Sequence, residues 1–361
     1  MAALSLHDFH AARKGAFTEV NGQEFVAHYQ SPEAEYLALT QSAGVIDLSG
    51  RGRLCVVGAD REKFLHGQVS NDVLRLKTGE GCYAALVNAK GKIQSDLFIY
   101  KLKEEILLDF EPGLSSPVSQ RLEKYVIAED VQIVDVSPHY GLLSIQGPQS
   151  AEVLRRSAFG ELPGSALSWI SKNTPEGEYY VTNNRRFGAE GFDLFVPAAA
   201  LKKAAELLDE SNRELGSQWV GWNTGEIARI ENGIPRFGAD MTEANLAPEC
   251  GIEGRAISYS KGCYIGQEVI ARIRTYGQVA KALRLLRLPN EMTTLPPPNE
   301  KLFKNGKEAG YITSSTLSPK HGGKVALGYV RKEWNAAGET LEIGKRGGRA
   351  VQVMGASGVN G

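Results

Sequence analysis

The sequence predicts an α+β protein in which ferredoxin-like βαββαβ elements lead into a small C-terminal β-barrel. Three observations carry this: a β-α-β-β-α-β order over residues 53–136, a partial repeat of it after residue 141, and a change of texture near residue 281. Before these, the first 50 residues read as a short helix, a loop and a second helix, EAEYLALTQSAG (33–44), with Gly44 as its C-cap. RLCVVG (53–58) reads as a strand, and Asp60 is placed to cap a helix over REKFLHGQVSNDV, with Phe64, Leu65 and Val69 on one face. CYAALVN (82–88), KIQSDLFIYKL (92–102) and EILLDF (105–110) follow as strands, the first two joined by the turn AKGK. SSPVSQRLEKYVIAED (115–130) is a helix with Pro117 in its first turn, and VQIVDV (131–136) closes the unit.

In the partial repeat, GLLSIQG (141–147) is a strand and Pro148 opens a helix over QSAEVLRRSAF. YYVTNN (179–184) and GFDLFVP (191–197) are strands, and AALKKAAELLDES (199–211) and GWNTGEIARIENG (221–233) are helices. From KALRLLRLP (281–289) onward, prolines 296–298 and short strands replace helices, and Asn305-Gly306 marks a hairpin. The expected domains are therefore 1–140, 141–280 and 281–361, with the GASGVNG end frayed.

At 42% apolar and 23% charged residues, the chain can bury a sizeable core. A net charge of −1 gives no support to general nucleic-acid binding. The pairs Arg155-Arg156 and Arg185-Arg186 read as solvated surface. The four cysteines, Cys55, Cys82, Cys250 and Cys263, form no CxxC pair, so no metal site is expected. No apolar run approaches a membrane span, and the reading is a soluble cytoplasmic protein. Walker, GxGxxG, HExxH and GxSxG motifs are all missing from the sequence.

KGCYIGQE (261–268) sets Cys263 between Gly262 and Gly266, with Lys261, Arg272 and Arg274 nearby. Positive charge lowers a thiol pKa, and glycines suit a tight loop that presents it. Residue types alone nevertheless favour a buried, inert cysteine. In FGAEGFDLFVP (187–197), Glu190 and Asp193 offer carboxylates able to take two parallel hydrogen bonds from an amidine-like edge, as on a pterin or purine; a solvated strand end is the alternative. Arg229 could hold a ligand carboxylate, an internal ion pair being the ordinary expectation. Tyr83 and Asp96 lie on hairpin strands where they could share a pocket face, or be plain edge residues.

At KGCYIGQE the chain resembles the YgfZ family of folate-binding proteins, relatives of the glycine-cleavage T-protein (aminomethyltransferase). The resemblance runs through residues 43–73, 83–100, 142–154, 187–197, 225–241 and 261–286. It implies a three-domain ring around a folate channel, with tetrahydrofolate as ligand. It matches Asp193 to the acidic position that holds the pterin edge, Arg229 to a ligand-facing arginine and Tyr83 to a channel tyrosine. It also makes Lys261, Gly262, Cys263, Tyr264, Gly266, Gln267 and Glu268 a functional motif, reversing the inert reading of Cys263. T-proteins carry two adjacent aspartates where this chain has Ser95-Asp96, which weakens a transferase reading.

The first functional expectation, implied by the resemblance, is a tetrahydrofolate-binding factor for iron–sulfur cluster assembly or repair. Its clients would be cluster enzymes such as tRNA-modifying ones, and Cys263 its reactive group. A stable cluster usually needs four cysteine ligands, so Cys263 would share ligation with a client or carrier. The alternative is a folate-dependent aminomethyltransferase or demethylase on a small amine, with Asp96 as the catalytic residue. A folate carrier without chemistry is the third reading. Contact with nucleic acid or membrane is not expected.

Overall fold

The structure, a computed structural model, describes residues 1–356 apart from residues 158, 278 and 346, so the expected fraying of GASGVNG falls largely outside the described residues. Two compact units emerge, each discontinuous in sequence. The first is Met1–His66, Asp72–Tyr83 and Leu97–Gly225; the second is Gly67–Asn71, Ala84–Asp96 and Glu226–Gly361.

The chain opens with α1 (His7–Ala11) and then a hairpin, β1 (Ala16–Val20) and β2 (Gln23–His28), where the sequence suggested only a loop. The missed signal is Asn21-Gly22, whose φ angles of 48° and 81° make the two-residue turn. Helix α2 (Pro32–Gln41) starts at Ser31, whose hydroxyl accepts the Ala34 N–H at 3.3 Å. It ends short of Gly44, which opens β3 (Gly44–Asp47) instead of capping the helix.

The first repeat comprises β4 (Gly52–Val57), α3 (Arg61–Gln68), β5 (Gly81–Val87), β6 (Ile93–Lys101), β7 (Ile106–Phe110), α4 (Ser115–Glu123) and β8 (Gln132–Asp135). Its sheet runs β5-β6-β7-β4-β8, with the first strand between the third and the last, as βαββαβ units arrange them; β5 is an added strand. Asp60 directly precedes α3, its carbonyl accepting the Phe64 N–H at 2.9 Å while its carboxylate Oδ2 accepts the Asp130 N–H at 2.9 Å. Both α3 and α4 end earlier than expected, at Gln68 and Glu123.

The second repeat comprises β9 (Tyr140–Gln146), α5 (Ser150–Arg156), β10 (Trp169–Thr174), β11 (Gly177–Asn183), β12 (Gly191–Pro197), α6 (Leu201–Leu215) and β13 (Gln218–Trp219). The order β10-β11-β12-β9-β3-β13 repeats the first sheet with β3 inserted. Helix α6 runs past residue 211 to Leu215, where Gly216 takes a φ of 66°. Alternation sorts the faces of β9 and β12. Leu143, Ile145, Phe192, Leu194 and Val196 pack with Leu201, Ala205 and Leu208 of α6, while Leu142 and Phe195 pack with Tyr100 and Leu107 of the other sheet. By the same period, Ser144, Gln146 and Asp193 point into the space between the two sheets.

The second unit holds the tip of the β5–β6 hairpin, most of α7 (Trp222–Glu231), α8 (Glu253–Ala256) and α9 (Gln267–Tyr276). Six strands follow: β14 (Lys281–Arg287), β15 (Lys301–Lys304), β16 (Lys307–Ser318), β17 (Gly323–Arg331), β18 (Thr340–Ile343) and β19 (Arg349–Ala356). They close into a barrel in the order β14-β17-β16-β15-β18-β19. Closure leaves no open edge, and Leu286, Leu302, Ile312, Val330 and Val353 fill the interior. Asn305 and Gly306, with φ of 50° and 73°, form the expected turn between β15 and β16.

Candidate functional site

In the first unit, five charged side chains form an alternating buried row. Glu111 meets Arg51, Arg51 meets Asp109, Asp109 meets Arg186, and Arg186 meets Asp193. Arg186 corrects the surface reading of its pair: it is 8% exposed, because its guanidinium is folded between two strand-borne carboxylates. Its Nε donates to both Asp193 oxygens at 2.9 Å and its Nη2 to Asp109 Oδ2 at 2.6 Å. Burial alone would lower the Arg186 pKa, but Asp109 and Asp193 outweigh it and hold the group firmly protonated.

Asp193 lies on β12, fully buried. Besides Arg186, it accepts the Ser144 hydroxyl at 2.8 Å on Oδ1 and the Asn184 amide at 2.9 Å on Oδ2. Two carboxylate oxygens offer about four acceptor positions, so these donors fill it. Gln146 pins the same corner, its Oε1 accepting the Arg186 N–H at 3.1 Å and its Nε2 donating to Asn184 O at 2.9 Å. Glu190, by contrast, is exposed on the connecting loop.

Arg229, in the second unit, is equally occupied. Its Nε and Nη2 grip Glu226 at 2.9 and 2.6 Å, Nη1 pairs with Asp240, and Nη2 also reaches Ser314 Oγ at 3.0 Å. Asp240 in turn accepts from Thr313, Ser314 and the Arg236 N–H. Tyr329 donates to the Asp240 carbonyl at 2.9 Å and to Cys250 Sγ at 3.2 Å. Burial pushes the Cys250 thiol up to about 12, which leaves it unreactive.

Tyr83 lies on β5 in the first unit, buried, its ring centroid 5.0 Å from that of Phe98. Asp96 lies on β6 in the portion belonging to the second unit and is 9% exposed. Ser95 is buried beside it and donates to the Asp96 carbonyl at 3.2 Å.

The KGCYIGQE loop is built like a bracket. Lys261 is buried, its ammonium donating to Val69 O at 2.6 Å and lying 4.7 Å from the Tyr264 ring centroid. Tyr264 is buried as well, and the Ile265 N–H donates to Gly67 O at 3.1 Å. Gly266 has a φ of 82°, and a Cβ there would come within 2.4 Å of the Asn88 carbonyl, so both the conformation and the space demand glycine. It sits at the start of α9, whose first turn carries Gln267 and Glu268. Between the two anchors, Gly262 and Cys263 are left exposed. The three cations nearby each have another partner: Lys261 as above, Arg272 on Glu268 at 3.0 Å, and Arg274 at 3.8 Å over the Tyr259 ring.

Of the cysteines, Cys55 and Cys250 are buried, Cys82 is half-buried and Cys263 is exposed. Among the described residues no group of three or more His, Cys, Asp or Glu is placed to hold a metal ion. No helix among them is long and apolar enough to cross a membrane. For a folate, the two charged residues singled out by resemblance do not present free groups. Asp193 and Arg229 are satisfied from within the chain, and a ligand reaches either only by displacing a partner. Sequence reading did not single out those partners, although Arg186 lies 7 positions from Asp193, and Glu226 and Asp240 lie 3 and 11 positions from Arg229; only Asp109, which completes the Arg186 pairing, is remote, 77 positions away.

The GCVT N-terminal domain matches residues 6–261, and the glycine cleavage T-protein C-terminal barrel domain matches residues 281–356. A chloroplastic protein of Arabidopsis thaliana, provisionally named a transferase, is 29% identical over 94% of this chain and 77% of its own length. An aminomethyltransferase of Thermotoga petrophila is 26% identical over 98% of this chain and 96% of its own. The crystal structure of the glycine cleavage system aminomethyltransferase T from Bartonella henselae superposes with a TM-score of 0.87 at 24% identity, covering 98% of this chain and 96% of that one. That likeness speaks for the fold, and the domain matches speak for descent: the chain belongs to the glycine cleavage T-protein family.

Proposed function

We propose that this chain is a YgfZ-branch member of the family, a tetrahydrofolate-binding cytoplasmic factor that supports iron–sulfur cluster assembly or repair, with Cys263 as its working group. The observation that carries the reading is the bracketed loop. Lys261 and Tyr264 are buried anchors, and Gly266 fixes the exit into α9, so the exposed thiol sits on a rigid support. Packing gives no reason for a cysteine there, since the side chain is in solvent. With Cys55 and Cys250 buried, the described residues do not assemble four thiol ligands, and the chemistry open to Cys263 is to donate one ligand alongside a client or carrier. The family's aminomethyltransferases use tetrahydrofolate, which makes a reduced folate the ligand of this reading.

Cys263→Ser tests it. The exchange touches an exposed position, so the melting temperature should stay within a degree or two of the parent. The activity of iron–sulfur enzymes, tRNA-thiolating ones included, should fall in cells that carry only the variant. Normal cluster-enzyme activity in those cells would sink the proposal.

The names of the relatives favour a second reading, folate-dependent aminomethyl transfer or demethylation on a small amine, with Asp96 positioning the substrate. It requires turnover of a methylated or aminomethyl donor with tetrahydrofolate, lost in Asp96→Ala. Ser95, in place of the first of the paired aspartates, counts against it.

A further inference from the structure

We propose that Arg186 is a specificity-determining residue that competes with neutral amidine-type ligand edges for Asp193 and so holds down the folate affinity of that subsite. The inference rests on the folate reading above and deepens it, since that reading assigns Asp193 to a pterin edge.

The chemistry of the two donors is the same in outline. A pterin offers two parallel N–H groups, one from the ring and one from its exocyclic amine. A guanidinium offers the same pair with a full positive charge, and charge-assisted bonds are roughly twice as strong as neutral ones. Arg186 already places its Nε 2.9 Å from both Asp193 oxygens and its Nη2 2.7 Å from Oδ2. It also pairs with Asp109 at 2.6 Å, so a neutral ligand that expelled it would leave Asp193 without a cation and Asp109 with Arg51 alone. The Ser144 and Asn184 donors take the remaining acceptor positions.

The two partners differ in how they are held. Asp193 is fixed in β12, whereas Arg186 lies in the connection between β11 and β12. The connection is therefore the side that has to move when a ligand enters. Gln146 and the 5.0 Å approach of the guanidinium to the Phe98 ring hold it in the closed position.

The test is the affinity of 5-formyltetrahydrofolate for the full chain and its variants, by calorimetry. Arg186→Met is expected to bind at least tenfold tighter than the parent, and adding Asp193→Asn should remove that gain. Because Arg186→Met leaves Asp193 without a cation and Asp109 with Arg51 alone, Arg186→Met/Asp109→Asn serves as the second variant. It deletes one charge of each sign, keeps the net charge of the row, and should show the same gain. Folded variants that bind no better than the parent would overturn the proposal. A tight parent weakened tenfold by Asp193→Asn alone would also overturn it while upholding the folate reading. Binding by none of the proteins would defeat both.

Discussion

Asp109→Ala is expected to destabilise the folded chain by about 3–5 kcal/mol, the usual cost of removing one partner from a buried ion pair. Asp109 is fully buried on β7 and is the hinge of the charged row, receiving Arg51 Nε at 2.9 Å on one oxygen and Arg186 Nη2 at 2.6 Å on the other. Without it, two buried guanidiniums keep only one carboxylate each, Glu111 and Asp193. The pH dependence follows. Burial would raise the Asp109 carboxyl, but Arg186 and Arg51 outweigh burial and hold it below its ordinary value. A carboxylate depressed on folding stabilises above its unfolded pKa of about 4, and that contribution fades as pH falls through the folded value. Urea denaturation at pH 7 reads the effect directly, and a loss under about 1 kcal/mol would mean that the row relaxes or that water compensates it.

The second large effect is expected at Glu226. Burial pushes its carboxyl up, yet Arg229 and then Arg236 pull it down to about 2 from an ordinary 4.5. The unfolded chain therefore binds a proton between pH 4.5 and 2 that the folded chain resists. Glu226 thus stabilises fully above about pH 4.5, and the contribution is lost as pH drops toward 2. Its side chain is 25% exposed, so solvent trims the linkage to roughly 2–3 kcal/mol. Measured at pH 7 and again near pH 3, Glu226→Gln should be less stable than the parent at both, with the gap at pH 3 less than half that at pH 7. An equal gap at both would place the acid sensitivity elsewhere.

Much of the architecture was legible because strands and helices announce themselves locally. GLLSIQG and GFDLFVP are near-continuous apolar runs and do become β9 and β12, buried on both faces. Asn305-Gly306 forms its hairpin because a two-residue turn needs the left-handed φ that those residues tolerate. The hairpin at 16–28 went unread although Asn21-Gly22 carries the same signal, its short strands having weak alternation. Helix starts were read more closely than helix stops: α3 begins at Arg61 as expected but stops at Gln68, and α4 stops at Glu123.

By itself the sequence determined the repeated strand order, the barrel that begins at Lys281 and the glycine-framed cysteine loop, since each depends on periodicity or on the φ demand of single residues. Tertiary structure alone decided the electrostatics. Arg185 and Arg186 are neighbours in sequence, yet one is exposed and the other is buried between carboxylates from two strands. Arg229 looks like a ligand donor until Asp240 and Glu226 are placed around it. The physical reason is desolvation: a buried charge takes whichever opposite charge the fold brings within about 3 Å, whether that lies 3 positions away, as Glu226 does from Arg229, or 77, as Asp109 does from Arg186.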